Sequence, residues 1–388
     1  MLLSVAKTLV ASALVGSAVA APAPAAPVEL VKRSNEKISP KVMIVTMFAP
    51  ERAVWMEPLE LTHNVSFAGA SPLFPYVACN ARRTVCHATT GEAEINAATT
   101  MMALTLAPQF NLTESYFLLN GIAGVNPYMG TLGSAGWARF VVQSGLAYEL
   151  DARQMPANWS TGYWALGTKA PGQLPNVTDL YGTEVFELNT NLLDRVLNIT
   201  SNVKLNDTEG AAAYRSKFNF APANEAPAVF QDSALVPSDA YFAGTLLAES
   251  WGNYTELMTK GQGKYALTAQ EDNASLEALM RADKAGLVDF SRVMLLRTAS
   301  DFDRAPERDD DAYTAFFAEQ DGFGIATQNL VLAGRPVVED ILTNWDSLYK
   351  KGIAPQSGGN GSFYGDDFGT IRTGGAQARR ARRSLIHA

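Results

Sequence analysis

The chain has 388 residues, 47% hydrophobic and 18% charged, with 31 Lys plus Arg against 39 Asp plus Glu and a formal net charge of -8. That much apolar material can bury one large core or two ordinary ones, which excludes disorder. The acidic balance leaves no broad basic surface to neutralise a phosphate backbone, so nucleic acid is excluded as a partner.

The first residues read Met1-Leu2-Leu3, a single Lys7, then an apolar run that closes on Ala18-Val19-Ala20, the pattern of a signal peptide over residues 1–20. An Ala/Pro-rich processed segment, residues 21–36, follows and carries the dibasic pair Lys32-Arg33. A single folded domain is expected over 37–355. Residues 356–388 form a Gly/Arg-rich tail whose cluster Arg379, Arg380, Arg382 and Arg383 reads as a solvated, disordered end. Nine Asn-x-Ser/Thr sequons, at Asn64, Asn111, Asn158, Asn176, Asn198, Asn206, Asn253, Asn273 and Asn360, fit a glycosylated exterior. The chain is therefore expected to be secreted and extracellular, with retention at the cell wall left open. No apolar run after the leader is long enough for a membrane span.

Residues 41–47 form a short continuous apolar run, the pattern of a strand buried on both faces. Pro50 and Glu51 follow it, and 54–61 reads as the first turns of a helix. Cys79 and Cys86 flank a polar turn between two β-prone runs, so in an oxidising compartment they are expected to form a disulfide pinning a hairpin; two free thiols are the alternative. With His only at 63, 87 and 387 and no second Cys pair, no Cys/His metal site can be assembled, and no cofactor is expected.

Residues 94–107 have helical spacing and stop at Pro108, and 115–119 forms a buried strand running into a turn at Asn120-Gly121-Ile122-Ala123-Gly124. Strands are expected at 137–142 and 147–150, helices at 186–197, 239–249 and 276–282, and a buried strand at 292–297 ending on Thr298-Ala299-Ser300-Asp301. Closing helices span 327–349, with Pro336 at a start or kink. Alternating β and α units predict an α/β three-layer αβα sandwich around a mixed, largely parallel twisted sheet. Sites in such sheets lie at the carboxyl ends of strands, which singles out Glu51, Asn120 to Gly124, Asp239 and Ser300-Asp301.

The stretch from Lys41 to Glu51 resembles the first strand and catalytic carboxylate of the nucleoside phosphorylase and methylthioadenosine nucleosidase superfamily. Further matches occur in the family's order: Thr90-Gly91-Glu92 opening a helix, Asn120-Gly121-Ile122-Ala123-Gly124, Ser238-Asp239-Ala240-Tyr241, Gln270-Glu271-Asp272 and Arg297-Thr298-Ala299-Ser300-Asp301-Phe302. The chain from Lys37 to about Pro355 is more similar still to the fungal purine nucleoside permease family. The superfamily resemblance implies a nucleoside phosphorylase-like fold, and the permease resemblance implies purine nucleosides (adenosine, guanosine, inosine) as partners. A homo-oligomer is left open.

The superfamily resemblance also implies roles. Asp301 would protonate N7 of the departing purine, which needs a raised pKa; capping after the strand is the bland alternative. Glu51 would activate a water on the opposite ribose face, or is a first-turn acid favoured by the helix dipole. Glu271 and Asp272 would hold the ribose diol, with Asn273 buried and bare beside them; Tyr241 and Phe242 would stack on the base; Arg297 would hold Glu51 or a ribose oxygen. Asn120, Gly121 and Ser300 complete the expected substrate contacts. The turn Thr46-Met47-Phe48-Ala49-Pro50-Glu51 lacks the glycines of a phosphate pocket and carries a carboxylate that would repel phosphate, which favours hydrolysis over phosphorolysis. The competing reading keeps the pocket but turns nothing over: a surface nucleoside-binding protein assisting transport.

Overall fold

The computed structural model describes residues 37–355, apart from Asp309. The leader, the Ala/Pro-rich segment and the Arg-rich tail lie outside the described residues.

The strands are β1 (Val42–Thr46), β2 (His63–Ser66), β3 (Tyr76–Cys79), β4 (Val85–Thr89), β5 (Tyr116–Val125), β6 (Ala135–Val142), β7 (Tyr148–Glu149), β8 (Tyr163–Trp164), β9 (Val185–Glu187), β10 (Val229–Pro237), β11 (Tyr265–Ala269) and β12 (Val293–Phe302). The helices are α1 (Ala49–Met56), α2 (Ala93–Leu106), α3 (Thr190–Thr200), α4 (Glu209–Arg215), α5 (Thr245–Met258), α6 (Asp272–Lys284), α7 (Ala312–Phe316) and α8 (Phe323–Thr343).

The central sheet runs β11-β10-β6-β12-β5-β1-β4-β3-β2, with β9 on β6. β4, β1, β5 and β12 are mutually parallel, β6 and β10 are parallel to each other, and β12 meets β6 antiparallel. Period-two alternation explains why β1 and β5 are buried on both faces. Met43, Val45, Phe117 and Leu119 pack toward α2 and α6, whereas Val42, Ile44, Tyr116 and Leu118 pack toward α1, α3 and α8. The result is the expected mixed α/β architecture with helices on both faces. β11 also pairs with β5 at Leu267 and Val125, so one end of the sheet curls back on itself. Alternation of elements carries no signal for that closure.

Cys79 and Cys86 are disulfide-bonded across the β3–β4 hairpin. Several expected boundaries shift, each for a local reason. The first helix begins at Ala49, before 54, because Pro50 suits the first helical turn, where its missing N–H leaves nothing unpaired. Asn120 to Gly124 is not a turn; β5 continues through it to Val125. The apolar period over 186–197 spans a three-residue strand, β9, and then α3, which Asn189 starts by accepting from the N–H groups of Asn191 and Leu192. The helix expected from 239 begins only at Thr245, after Gly244 at φ 109, a conformation that side chains disfavour. Pro336 lies inside α8 rather than at a start.

Candidate functional site

At the carboxyl ends of β1, β10, β11 and β12 a cleft of ≈ 140 Å³ opens. Residues far apart in the chain meet there: Glu51, Tyr241, Phe242, Glu271, Arg297, Ser300 and Asp301 all line it. Glu51 stands in the first turn of α1, where its carboxylate folds back to accept from the N–H of Met47 (2.8 Å) and reaches across to that of Ile122 in β5 (2.7 Å). Only 1% of Glu51 is exposed. Burial, opposed by the nearby Arg297 guanidinium, pushes its carboxyl up to about 7.

Arg297 comes from the middle of β12. Its Nη1 donates to the Ile122 carbonyl (3.0 Å), and Nη2 donates to Glu271 Oε2 (3.0 Å) and to both oxygens of Asp272 (3.0 and 2.9 Å). The arginine is buried and its charge is held by these acids. Asp272 is fully committed to it and does not face the cleft; burial raises its carboxyl to about 6 against the pull of Arg297. Glu271 keeps its cleft position, with its other oxygen taking the N–H of Ala93 (3.0 Å). Ala93 adopts φ 74, a left-handed conformation that costs a non-glycine residue about 1–2 kcal/mol, and its N–H meets Glu271.

Asp301 owes its position to a bulge. Ala299 pairs with Ala123 and Asp301 with Gly124, so Ser300 is an extra residue in β12 that turns the strand end into the cleft. The Ser300 hydroxyl lies 2.6 Å from Asp301 Oδ1 and 3.0 Å from the Ala123 carbonyl, two acceptors for one proton, and the Tyr241 hydroxyl donates to Asp301 Oδ2 (3.2 Å). Burial raises the Asp301 carboxyl to about 6, although both hydroxyl contacts work against the rise. Tyr241, 60% exposed, packs edge-on against Phe316, and Phe242 leans on Trp251 and Tyr265, making one aromatic wall of the cleft.

The remaining expected contacts lie off the cleft. Asn120 is buried and accepts from Trp55 Nε1 (2.8 Å). Gly121 packs behind the site, where a Cβ would collide with Arg297 Nη1 and come within 2.7 Å of Glu51 Oε1. Asn273 is buried, donates to the Thr183 carbonyl (2.6 Å) and lines a separate cavity of ≈ 340 Å³. Asp239 is exposed and accepts from the N–H of Glu94 at the start of α2. Two polar lining residues went unread in the sequence. Thr268, whose hydroxyl takes the Gly124 N–H (3.0 Å), and Asp303, gripped by Arg304 and Tyr265, belong to strand ends whose inward-facing residues only the curl of the sheet reveals.

The fold and site together define a mixed α/β protein with an acidic, aromatic-walled cleft at its strand ends. The purine nucleoside permease family model matches residues 39–354, and the chain belongs to that family. A purine nucleoside permease of Candida albicans is 43% identical over 337 residues, covering 86% of this chain and 81% of that protein. A probable purine nucleoside permease of Schizosaccharomyces pombe is 38% identical, covering 79% of this chain and 90% of that protein. Among solved structures, the 5'-methylthioadenosine/S-adenosylhomocysteine nucleosidase of Neisseria meningitidis is 14% identical at TM-score 0.45, covering 78% of this chain and 99% of that one. The futalosine hydrolase of Helicobacter pylori is 13% identical at TM-score 0.47, covering 78% and 98%.

These names overturn the expected extracellular location, because a permease is a transporter of a membrane. The physical reason for the misreading is that an apolar leader and sequons mark entry to the export route and do not distinguish release from retention at a membrane. Among the described residues, no helix is long and apolar enough to cross a membrane.

Proposed function

We propose that the cleft binds purine nucleosides and hydrolyses their N-glycosidic bond to free base and ribose. The observation that carries this reading is the pairing, in one cleft, of two carboxyls with raised pKa, the buried Glu51 at about 7 and the half-buried Asp301 at about 6. Perturbed acids converging on a cleft are the ordinary mark of acid–base chemistry. Cleavage places positive charge on the ribose and negative charge on the departing purine. Asp301, protonated, gives its proton to N7 of the base; Glu51, ionised, takes a proton from a water that attacks the anomeric carbon. The C–N bond breaks as the C–O bond forms, and the purine leaves neutral.

Glu271 accepts from the ribose hydroxyls and stabilises the cationic sugar, since Asp272 is spent on Arg297. Arg297 holds Glu271 and Asp272 in place, and Ser300 orients Asp301. Tyr241 and Phe242 stack on the base. The family's name favours a second reading, a nucleoside-binding protein that serves transport without turnover. One experiment separates them: purified protein is incubated with adenosine, guanosine and inosine, with and without phosphate, and free base is measured. Phosphate-independent release supports hydrolysis. Binding without release supports the transport reading, and release that requires phosphate refutes water as the nucleophile.

A further inference from the structure

Glu92 also lines the cleft, and its placement is unusual for a residue that starts a helix. It is the N-cap of α2, yet its side chain makes no capping hydrogen bond. The first N–H groups of α2 are met by carboxylates from distant parts of the chain, Ala93 by Glu271 (3.0 Å) and Glu94 by Asp239 (2.9 Å). With capping done by others, the Glu92 carboxylate is left at the wall of the cleft on the Glu271 side, where the sugar sits in the reading above. Partial burial, with the Glu271 charge second, raises its carboxyl from the ordinary range. Among the described residues, Arg297 is the only cation lining the cleft, and it already serves Glu271, Asp272 and the Ile122 carbonyl.

We infer that Glu92 is a specificity residue: it accepts a hydrogen bond from a free hydroxyl of the ribose and repels a phosphate ester at that position, so that nucleosides enter and nucleotides do not. This rests on the assignment of the Glu271 side to the sugar. A hydroxyl donates to a carboxylate, while a phosphate offers that carboxylate only charge of its own sign. In a half-wet cleft such a repulsion a few ångströms away is worth about tenfold in affinity.

The test measures binding of inosine and of inosine 5'-monophosphate by calorimetry, at low and high salt, in an Asp301→Asn background that keeps the nucleoside intact. Each is compared with the same protein also carrying Glu92→Gln. The expected result is a preference for inosine that narrows by about tenfold with Glu92→Gln, through a gain for the monophosphate, and narrows less at high salt. Glu92→Ala is expected to narrow it as well, which guards against a phosphate contact made by the new amide. An unchanged ratio in both variants, with inosine still bound, overturns the role of Glu92 and leaves the nucleoside site standing. Failure of the starting protein to bind inosine at all would instead sink the proposed function, and this inference with it.

Discussion

Asp301→Asn is the sharpest perturbation, because the proposed mechanism assigns its effect to one proton. Asp301 receives hydroxyl donors at both oxygens, from Ser300 and Tyr241. Hydroxyls can accept as readily as they donate, so an amide of the same shape fits with little cost to the fold. Glu51→Gln is less clean. Both Glu51 oxygens accept backbone N–H groups, and an amide would leave one of them orphaned, at about 1–3 kcal/mol.

With Glu51 at about 7 and Asp301 at about 6, the pair that the proposed mechanism requires has the higher-pKa group ionised and the lower-pKa group protonated. That state is favoured near pH ~6.5 and declines toward either flank. The assay is the rate of purine release across that range. For Asp301→Asn the expected rate is about 10²- to 10⁴-fold lower, and the alkaline limb should vanish while the acid limb, set by Glu51, remains. Nucleoside binding should survive. A wild type that releases base, beside an Asp301→Asn protein that does so at the same rate or keeps the alkaline limb, would refute the reasoning.

Three further outcomes follow from packing and charge. Gly121→Ala drives a methyl toward Arg297 and Glu51, so denaturation is expected to show about 1–3 kcal/mol of lost stability together with a large drop in any base-release activity. Arg297→Met strands Glu271 and Asp272 as buried, unpaired acids; a loss of about 3–5 kcal/mol is expected in a urea titration at neutral pH, and full stability there would show that the triad is not compensated as described. His87, buried against Thr46, is held at about 3 mainly by burial, so the folded state favours its neutral form. Its contribution is present above the ordinary histidine value of about 6.5 and is lost as pH falls from there toward 3. Thermal melts should therefore show the wild type losing stability in that window faster than His87→Gln, and parallel curves would count against it.

How much of this was legible in the sequence depends on whether a signal is local. β1 and β12 were readable because strands buried on both faces are continuous apolar runs. The Cys79–Cys86 hairpin was readable because its turn is polar and short. Asn120 to Gly124 was misread because asparagine and glycine ordinarily signal a turn; here Gly121 is small for a tertiary reason, the approach of Arg297 and Glu51, which no neighbour in sequence announces. The pair Glu271 and Asp272 could not be told apart from sequence, since both precede the same helix. Arg297 separates them in space, taking Asp272 into the core and leaving Glu271 at the cleft.

Convergence of the site follows from strand direction more than from any one motif. Glu51 lies just past β1, Glu271 just past β11, and Asp301 near the end of β12, up to 250 positions apart, and parallel pairing brings β1 and β12 to the same rim through β5. β11 reaches that rim by a different route, through β10 and then by its antiparallel contact with β5 at Val125. That single closing pair, Leu267 with Val125, brings Thr268 beside Gly124 and Asp301: a Cβ on Gly124 would stand 2.7 Å from Thr268 Oγ1 and 3.4 Å from Asp301 Oδ2. Glycine is thus required at 124 by the closure itself. A flat sheet with the same strand order would keep Glu51 near Asp301 but would carry Glu271 away to its far edge, so the three carboxyls would no longer share one cleft.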